Sequence, residues 1–223
     1  YRQAQPIFIV GMPRTGTTLA DRILSSHSEV SSAGELTDFS LQMKRLTKTR
    51  SAYVLDDETL DAAADIDPAA LGEAYVSSVR TTLNLTGRFI DKMPLNVVLC
   101  AHILRALPEA RIICLRRHPA DTVLANYRQL FATSFRYYAY ANSLETAARY
   151  YVRFDRLVRT FAETLPADRF CEVRYEDIVT DFEPTVRRLL AVCGLSFEPA
   201  CLSFHENVAP VATASAAQVR QPL

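Results

Sequence analysis

The chain has 223 residues, 49% hydrophobic and 22% charged, the composition of an ordinary soluble globular protein with enough apolar material for a single well-cored domain over residues 1–223. Twenty-five basic residues balance twenty-five acidic ones without any Lys/Arg block, which excludes a general affinity for nucleic acid or anionic membranes and leaves any anion site to be local. No apolar run approaches the ~18 residues of a membrane span and no signal-peptide pattern opens the chain, so a soluble, unanchored protein is expected.

Ile7-Phe8-Ile9-Val10 is a buried-strand run that enters Gly11-Met12-Pro13-Arg14-Thr15-Gly16-Thr17-Thr18; a helix over 17–27 follows, with Leu19, Ile23 and Leu24 at helical spacing. Helices are predicted over 36–47 and 70–84. Between them Asp56, Asp57, Glu58, Asp61, Asp65 and Asp67 form an acidic, Ala-rich connection. It reads as a solvated face and a candidate mobile flap, because the carboxylates lack the Gly turn and spacing of a calcium loop. Residues 88–91 are a short strand and 95–107 a helix. Arg111-Ile112-Ile113-Cys114-Leu115 is a clear strand, ending at Arg116-Arg117-His118-Pro119 and a further helix with Pro119 at its start. A long amphipathic helix over 143–164, a strand over 170–174 and a helix over 182–193 stopped by Gly194 complete the pattern. Strands alternating with helices predict a doubly wound α/β fold, a P-loop-like parallel sheet flanked by helices. The loops at 11–18, 91–94 and 116–119 then converge at the carboxyl ends of the strands.

The five cysteines, Cys100, Cys114, Cys171, Cys193 and Cys201, show no CxxC spacing and sit mostly in apolar segments. They read as buried reduced thiols, which favours a reducing, cytoplasmic compartment.

A strand, a Gly-rich turn and a helix start together make an anion cradle, in which backbone N–H groups and the helix dipole meet a phosphate-like group and glycines let it approach. The turn is not a Walker A loop, because Thr17 follows Gly16 where that motif requires Lys; the cation lies inside the loop, at Arg14. A metal-dependent P-loop kinase loses its main support thereby. A plain strand-turn-helix joint is the other alternative.

The stretch PIFIVGMPRTGTTL resembles the 5′-phosphosulfate-binding loop of sulfotransferases that use 3′-phosphoadenosine 5′-phosphosulfate (PAPS). It is most similar to tyrosylprotein sulfotransferases and to bacterial sulfotransferase domains found behind tetratricopeptide repeats. Gly34-Glu35-Leu36, Asp91-Lys92-Met93-Pro94, the run Ile112 to Pro119, and Thr213-Ala214-Ser215 with Gln218 to Pro222 agree with that family in order, so the likeness covers nearly the whole chain. Relatives carry more chain at both ends. With its abrupt last residues, this chain is expected to be a piece of a longer protein, and a repeat domain ahead of it is one possibility.

The resemblance implies roles. Arg14 matches the phosphosulfate arginine, the backbone of Thr15, Gly16, Thr17 and Thr18 matches the cradle, and Lys92 matches a catalytic lysine of the tyrosylprotein enzymes; a surface lysine at a strand end is its bland alternative. Glu35 matches the general base, against a plain carboxylate at a helix N-terminus near Thr37. His27 and His118 are rival bases, better explained by the end of the first helix and by the nucleotide loop. Arg117 matches the 3′-phosphate arginine of an R-x₇-S pattern, but Ala125 stands where the serine belongs, so Asn126 or Thr122 would have to supply the missing contact. Arg116 is the alternative in register. Tyr175, in Tyr175-Glu176-Asp177, matches a tyrosine near the adenine, or else is a core-edge ring. Ser215 matches a serine near the transferring group, and Arg220 adds a possible cation.

The expected function is metal-independent, in-line transfer of a sulfuryl group from PAPS to a hydroxyl or amine acceptor, with 3′-phosphoadenosine 5′-phosphate (PAP) as product. Arg14 and Lys92 stabilise the charge, because a sulfuryl group carries fewer charges than a triphosphate terminus and cationic side chains suffice. A non-catalytic nucleotide-binding module of the same fold is the alternative. The acceptor, a tyrosyl peptide, a carbohydrate hydroxyl or a small phenol or amine, is left open. Tyr137, Tyr138 and Tyr140 either line an aromatic acceptor pocket or pack on a neighbouring domain.

Overall fold

The computed structural model of the protein describes residues 5–83, 87–131, 136–210 and 217–223. The strands β1 (Ile7–Gly11), β2 (Val30–Ser32), β3 (Arg88–Asp91), β4 (Arg111–Arg116) and β5 (Phe170–Arg174) form a parallel sheet in the order β2-β3-β1-β4-β5. The chain runs from β1 outward to β2, returns to β3, and then crosses over β1 to β4. The carboxyl end of β1 is therefore the point where the winding reverses, the place where open α/β sheets bind ligands.

Both faces of the sheet are covered, which is why β1 is an unbroken apolar run rather than an alternating one. Phe8 and Val10 face a core built with α2 (Asp38–Thr47), α4 (Pro68–Leu83), α5 (Cys100–Ala106) and α7 (Leu144–Thr164). Ile7 and Ile9 face the opposite core, with α1 (Thr17–Leu24) and α9 (Phe182–Val192). A short α3 (Asp57–Ala62), α6 (Pro119–Tyr127) and α8 (Tyr175–Thr180) complete the helices.

The predicted strands and most predicted helices are present, with four differences. The first helix ends at Leu24 rather than at 27, because His27 is needed beyond it: Nδ1 accepts the Glu29 N–H at 3.1 Å and Nε2 lies 3.0 Å from the Ser196 carbonyl. Over 95–107 the first part, Pro94–Leu99, winds as a 3₁₀ turn closed from Asn96 N–H to the Met93 carbonyl, and only Cys100–Ala106 is α-helical. The strand β2 is too short to leave a periodic signal. The acidic connection contains α3, capped by the Asp56 side chain on the Thr59 N–H. Cys100, Cys114, Cys193 and Cys201 are buried and Cys171 half-buried, all as free thiols. Among the described residues no helix is long and apolar enough to cross a membrane.

Candidate functional site

The turn after β1 is shaped by two glycines and one left-handed arginine. Gly11 has φ +149°, and a Cβ there would lie 2.6 Å from the Leu115 carbonyl oxygen of the neighbouring strand. Gly16, at φ +99°, is the N-cap of α1, and a Cβ there would lie 2.7 Å from the Tyr175 ring. Arg14 lies between them at φ +67°, in a conformation that non-glycine residues rarely adopt. The carbonyls of the turn are taken up by side chains. Thr15 Oγ1 donates to the Met12 carbonyl at 2.7 Å, Asn126 Nδ2 to Pro13 at 2.8 Å, and Arg117 Nη1 to Arg14 at 3.3 Å. At a helix start the first N–H groups have no carbonyl one turn back, and Gly16 has no side chain to cap them. Such a combination of exposed N–H groups and a helix start can receive an anion.

This turn walls a cavity of about 600 Å³ to which Arg14, Gly16, Thr17, Thr18, Glu35, Arg117 and Tyr175 contribute. Thr15 is fully buried behind the turn. The two neighbouring arginines diverge as strand alternation requires. Arg116 ion-pairs with Asp155 and, at 2.8 Å, with Glu172, away from the cavity. Arg117 lines the cavity with its guanidinium 4.6 Å from the centre of the Tyr175 ring, and its buried Nε has no hydrogen-bond acceptor among the described residues. Tyr175 thus lies between the Gly16 backbone and a guanidinium, its ring also resting on the core. Glu176 fastens this region by accepting the His118 N–H at 2.7 Å.

A second group of residues meets at the end of β3. Beyond β2 the chain keeps to β3, with Ala33 N–H on the Ile90 carbonyl at 2.8 Å and Lys92 N–H on the Gly34 carbonyl at 2.9 Å. Glu35 is thereby placed beside Lys92, whose Nζ lies 2.5 Å from its Oε1. Lys92 is 1% exposed and Glu35 is the member that opens to the cavity. Asp91 points into the aromatic core, where its Oδ2 accepts the Tyr75 hydroxyl at 2.9 Å. Burial drives its carboxyl up to about 8, against the opposing bonds from Tyr75 and the Leu36 N–H. Asp21, buried on α1, is also raised by burial, opposed by the Ser32 hydroxyl and the charges of Lys92 and Arg22. Tyr138 shares the cavity wall with Phe131, on which it stacks at 4.4 Å. Burial and then the charge of Glu35 push its phenol up to about 12.

A model described as the sulfotransferase family matches residues 6–199. The chain belongs to the sulfotransferase family. An uncharacterized protein of Aquifex aeolicus (strain VF5) is 32% identical over 222 residues, covering 97% of this chain and 29% of the relative. The chain therefore spans less than a third of that relative's length. Among solved structures, the sulfotransferase domain of the Synechococcus PCC 7002 olefin synthase shares 21% identity at a TM-score of 0.65, over 98% of this chain and 84% of that one. The sulfotransferase domain of the curacin biosynthetic pathway shares 18% at 0.63, over 97% and 83%. Mouse sulfotransferase SULT7A1, complexed with PAP, shares 14% at 0.52, over 94% and 68%. These likenesses establish the parallel five-stranded sulfotransferase fold.

In this member of the family the residues singled out from the sequence divide into three groups. Arg14, Gly16, Thr17, Thr18, Glu35, Arg117 and Tyr175 come together in the cavity, with Thr15 and Lys92 immediately behind its wall. Lys92 is buried, not a surface lysine, and Glu35 precedes α2 rather than lying in its first turn. Arg117, not Arg116, faces the site. His27 is spent on Ser196 and Glu29, and His118 is an exposed N-cap; neither lines the cavity. Thr122 and Asn126 are not among the residues that line the cavity; both are fully buried and bonded to backbone carbonyls. Arg220 is exposed and leaves the wall to its neighbours Gln218 and Val219, with Gln218 Oε1 accepting from Arg14 at 3.4 Å. Ser215 lies outside the described residues. Of the three tyrosines, Tyr138 alone lines the cavity; the Tyr137 hydroxyl accepts the Leu55 N–H and Tyr140 stacks on Tyr150. Sequence reasoning missed Phe131 and the part played by Asp91. Strand alternation carried a signal for the latter, since Asp91 shares a face with Phe89.

Proposed function

We propose that the protein transfers a sulfuryl group from PAPS to a hydroxyl-bearing acceptor. The observation that carries this reading is the meeting, at the switch point of one sheet, of a phosphate nest, two arginines, an aromatic ring and one carboxylate in a single cavity. The residues present suit the donor: Gly11 and Gly16 keep Cβ atoms out of the nest, and the Arg117 Nε, 3.9 Å from the Asp121 carboxylate and without a hydrogen bond, is a donor that a phosphate oxygen would satisfy. The 5′-phosphosulfate belongs at the nest with Arg14, the 3′-phosphate at Arg117, and the base against Tyr175.

In the step itself the bond from sulfur to the 5′-phosphate oxygen breaks as a bond from sulfur to the acceptor oxygen forms, in line, and the acceptor proton passes to Glu35. Arg14 stabilises charge on the sulfuryl oxygens and the leaving phosphate, without any metal. Lys92 holds Glu35 in place and supplies its charge as Glu35 is neutralised. Peptide tyrosine, carbohydrate and small-molecule hydroxyls are the acceptor classes. The buried thiols suit a reducing, cytoplasmic setting.

Thermal unfolding with PAP, and separately with ATP and Mg²⁺, tests the donor. A ligand at about 100 times its dissociation constant adds ~2.7 kcal/mol, several degrees for a chain of this size. Stabilisation by PAP without metal, lost in Arg14→Ala, is expected, together with transfer of labelled sulfate from PAPS in an acceptor screen. Stabilisation by ATP and Mg²⁺ alone would overturn the reading in favour of a kinase. PAP binding without transfer to any acceptor would favour a non-catalytic module, for which the alanine at position 125 is the specific observation.

A further inference from the structure

Thr122 and Asn126 stand one turn apart on α6, both fully buried, on the face where a helix packed against a sheet ordinarily presents an apolar stripe. Thr122 returns its hydroxyl to its own helix, to the carbonyls of His118 at 3.1 Å and Arg117 at 3.3 Å, the usual solution for a buried helical threonine. Asn126 reaches outside it. One amide donor goes to the Thr122 carbonyl at 2.9 Å and another to the Pro13 carbonyl at 2.8 Å, while Oδ1 accepts the Tyr140 hydroxyl at 2.9 Å. Tyr140 is itself stacked face to face on Tyr150 at 3.8 Å.

The Pro13 carbonyl belongs to the peptide plane it shares with the Arg14 N–H, and in a trans peptide the two point in opposite directions. Holding that carbonyl toward α6 therefore sets the direction of the Arg14 N–H and the entry into the left-handed conformation of Arg14 at φ +67°. Such a conformation persists only where its surroundings over-determine it. The Arg117 bond to the Arg14 carbonyl holds the next plane in the same manner.

We propose that Asn126, braced by Tyr140, is a positioning residue for the nest at 12–18: it holds the Pro13–Arg14 peptide plane in the anion-binding arrangement. The inference rests on reading that turn as the 5′-phosphate site. It gives α6 a duty at the site, beside that of Arg117 in the connection just before the helix. Next to the alanine that departs from the family pattern stands a side chain that serves the turn instead of the ligand.

The test compares Asn126→Leu and Tyr140→Phe with the unaltered protein by amide hydrogen exchange without ligand and by calorimetric binding of PAP and of adenosine 3′-monophosphate, which lacks the 5′-phosphate. Exchange at residues 14–18 is expected to quicken about tenfold in Asn126→Leu, with PAP affinity falling about tenfold and adenosine 3′-monophosphate affinity unchanged. Tyr140→Phe is expected to move both in the same direction by about threefold, and it decides the matter if Asn126→Leu does not fold. A merely structural asparagine would lower the unfolding temperature without singling out residues 14–18 or the 5′-phosphate. Unchanged exchange at 14–18 in a folded variant would overturn the proposal. Should the unaltered protein bind neither nucleotide, the donor reading fails by itself and the exchange arm still decides the role of Asn126.

Discussion

The turn after β1 and the corner after β3 sit at the ends of paired strands, yet they are held by different forces. The turn is fixed by glycine conformations and by side chains donating to its carbonyls from Thr15, Asn126 and Arg117. The corner is fixed by ionisable groups: Lys92 on Glu35, with Asp91 and Asp21 buried beside them. Bonds from donors that do not titrate near neutrality keep one geometry across pH, which suits the binding of a permanent anion. At the corner the group open to the cavity is Glu35, the one proposed to receive the acceptor proton, while the buried Asp91 already holds its own below about pH 8.

Glu35→Gln sharpens that contrast most. Transfer should fall by ~10²–10⁴-fold, the usual worth of a positioned base, while calorimetric PAP affinity stays at the unaltered value; a parallel loss of both would merge the two regions into one. The adjacent arginines separate next. Arg117→Ala should weaken PAP binding by ~1.5–3 kcal/mol, as expected for lost bonds to a charged group, with little change in unfolding temperature. Arg116→Ala should do the reverse, lowering stability by ~1–2 kcal/mol as Glu172 loses its cation and Asp155 is left with Arg159 alone.

A smaller effect follows from Gly16→Ala, which sets a Cβ against the Tyr175 ring at a positive φ. Backbone strain of that kind costs ~1–3 kcal/mol, so PAP affinity should drop about tenfold in a titration, without a matching loss of transfer at saturating donor. The smallest concerns pH. Asp91, raised to about 8 when folded, keeps its proton between about pH 4 and 8, where the unfolded chain has released it. The folded state then binds more protons, so stability falls as pH rises through that window and levels off above it. Melting curves from pH 5 to 8 should show this decline in the unaltered protein and a flatter profile in Asp91→Asn; equal slopes would remove the buried carboxyl from the account.

The turn after β1 was readable because all its parts are local: a strand, Gly11, Arg14, Gly16 and a helix lie within a dozen residues. Arg117 was readable less firmly, since two arginines stand side by side and only the strand register decides which faces the cavity. The network of Asn126 was not readable, because its partners Pro13 and Tyr140 lie 113 and 14 residues away. Distance also hid the burial of Lys92 beneath Glu35, 57 residues away, whereas the fate of Thr122 and the stacking of Phe131 on Tyr138 are local contacts that carry no periodic signal. His27 misled the helix boundary because its partner, Ser196, lies on a segment 169 residues further along.

Periodicity, glycine positions and short motifs by themselves determined the parallel α/β sheet, the glycine-shaped turn after β1 and the sulfotransferase likeness, since each depends on neighbours within a few turns of chain. Only the tertiary structure decided which of two arginines faces the cavity, that the lysine is spent on the glutamate, and that a buried asparagine secures the turn. Those outcomes depend on which side chains from distant segments reach the same few ångströms, and packing settles that.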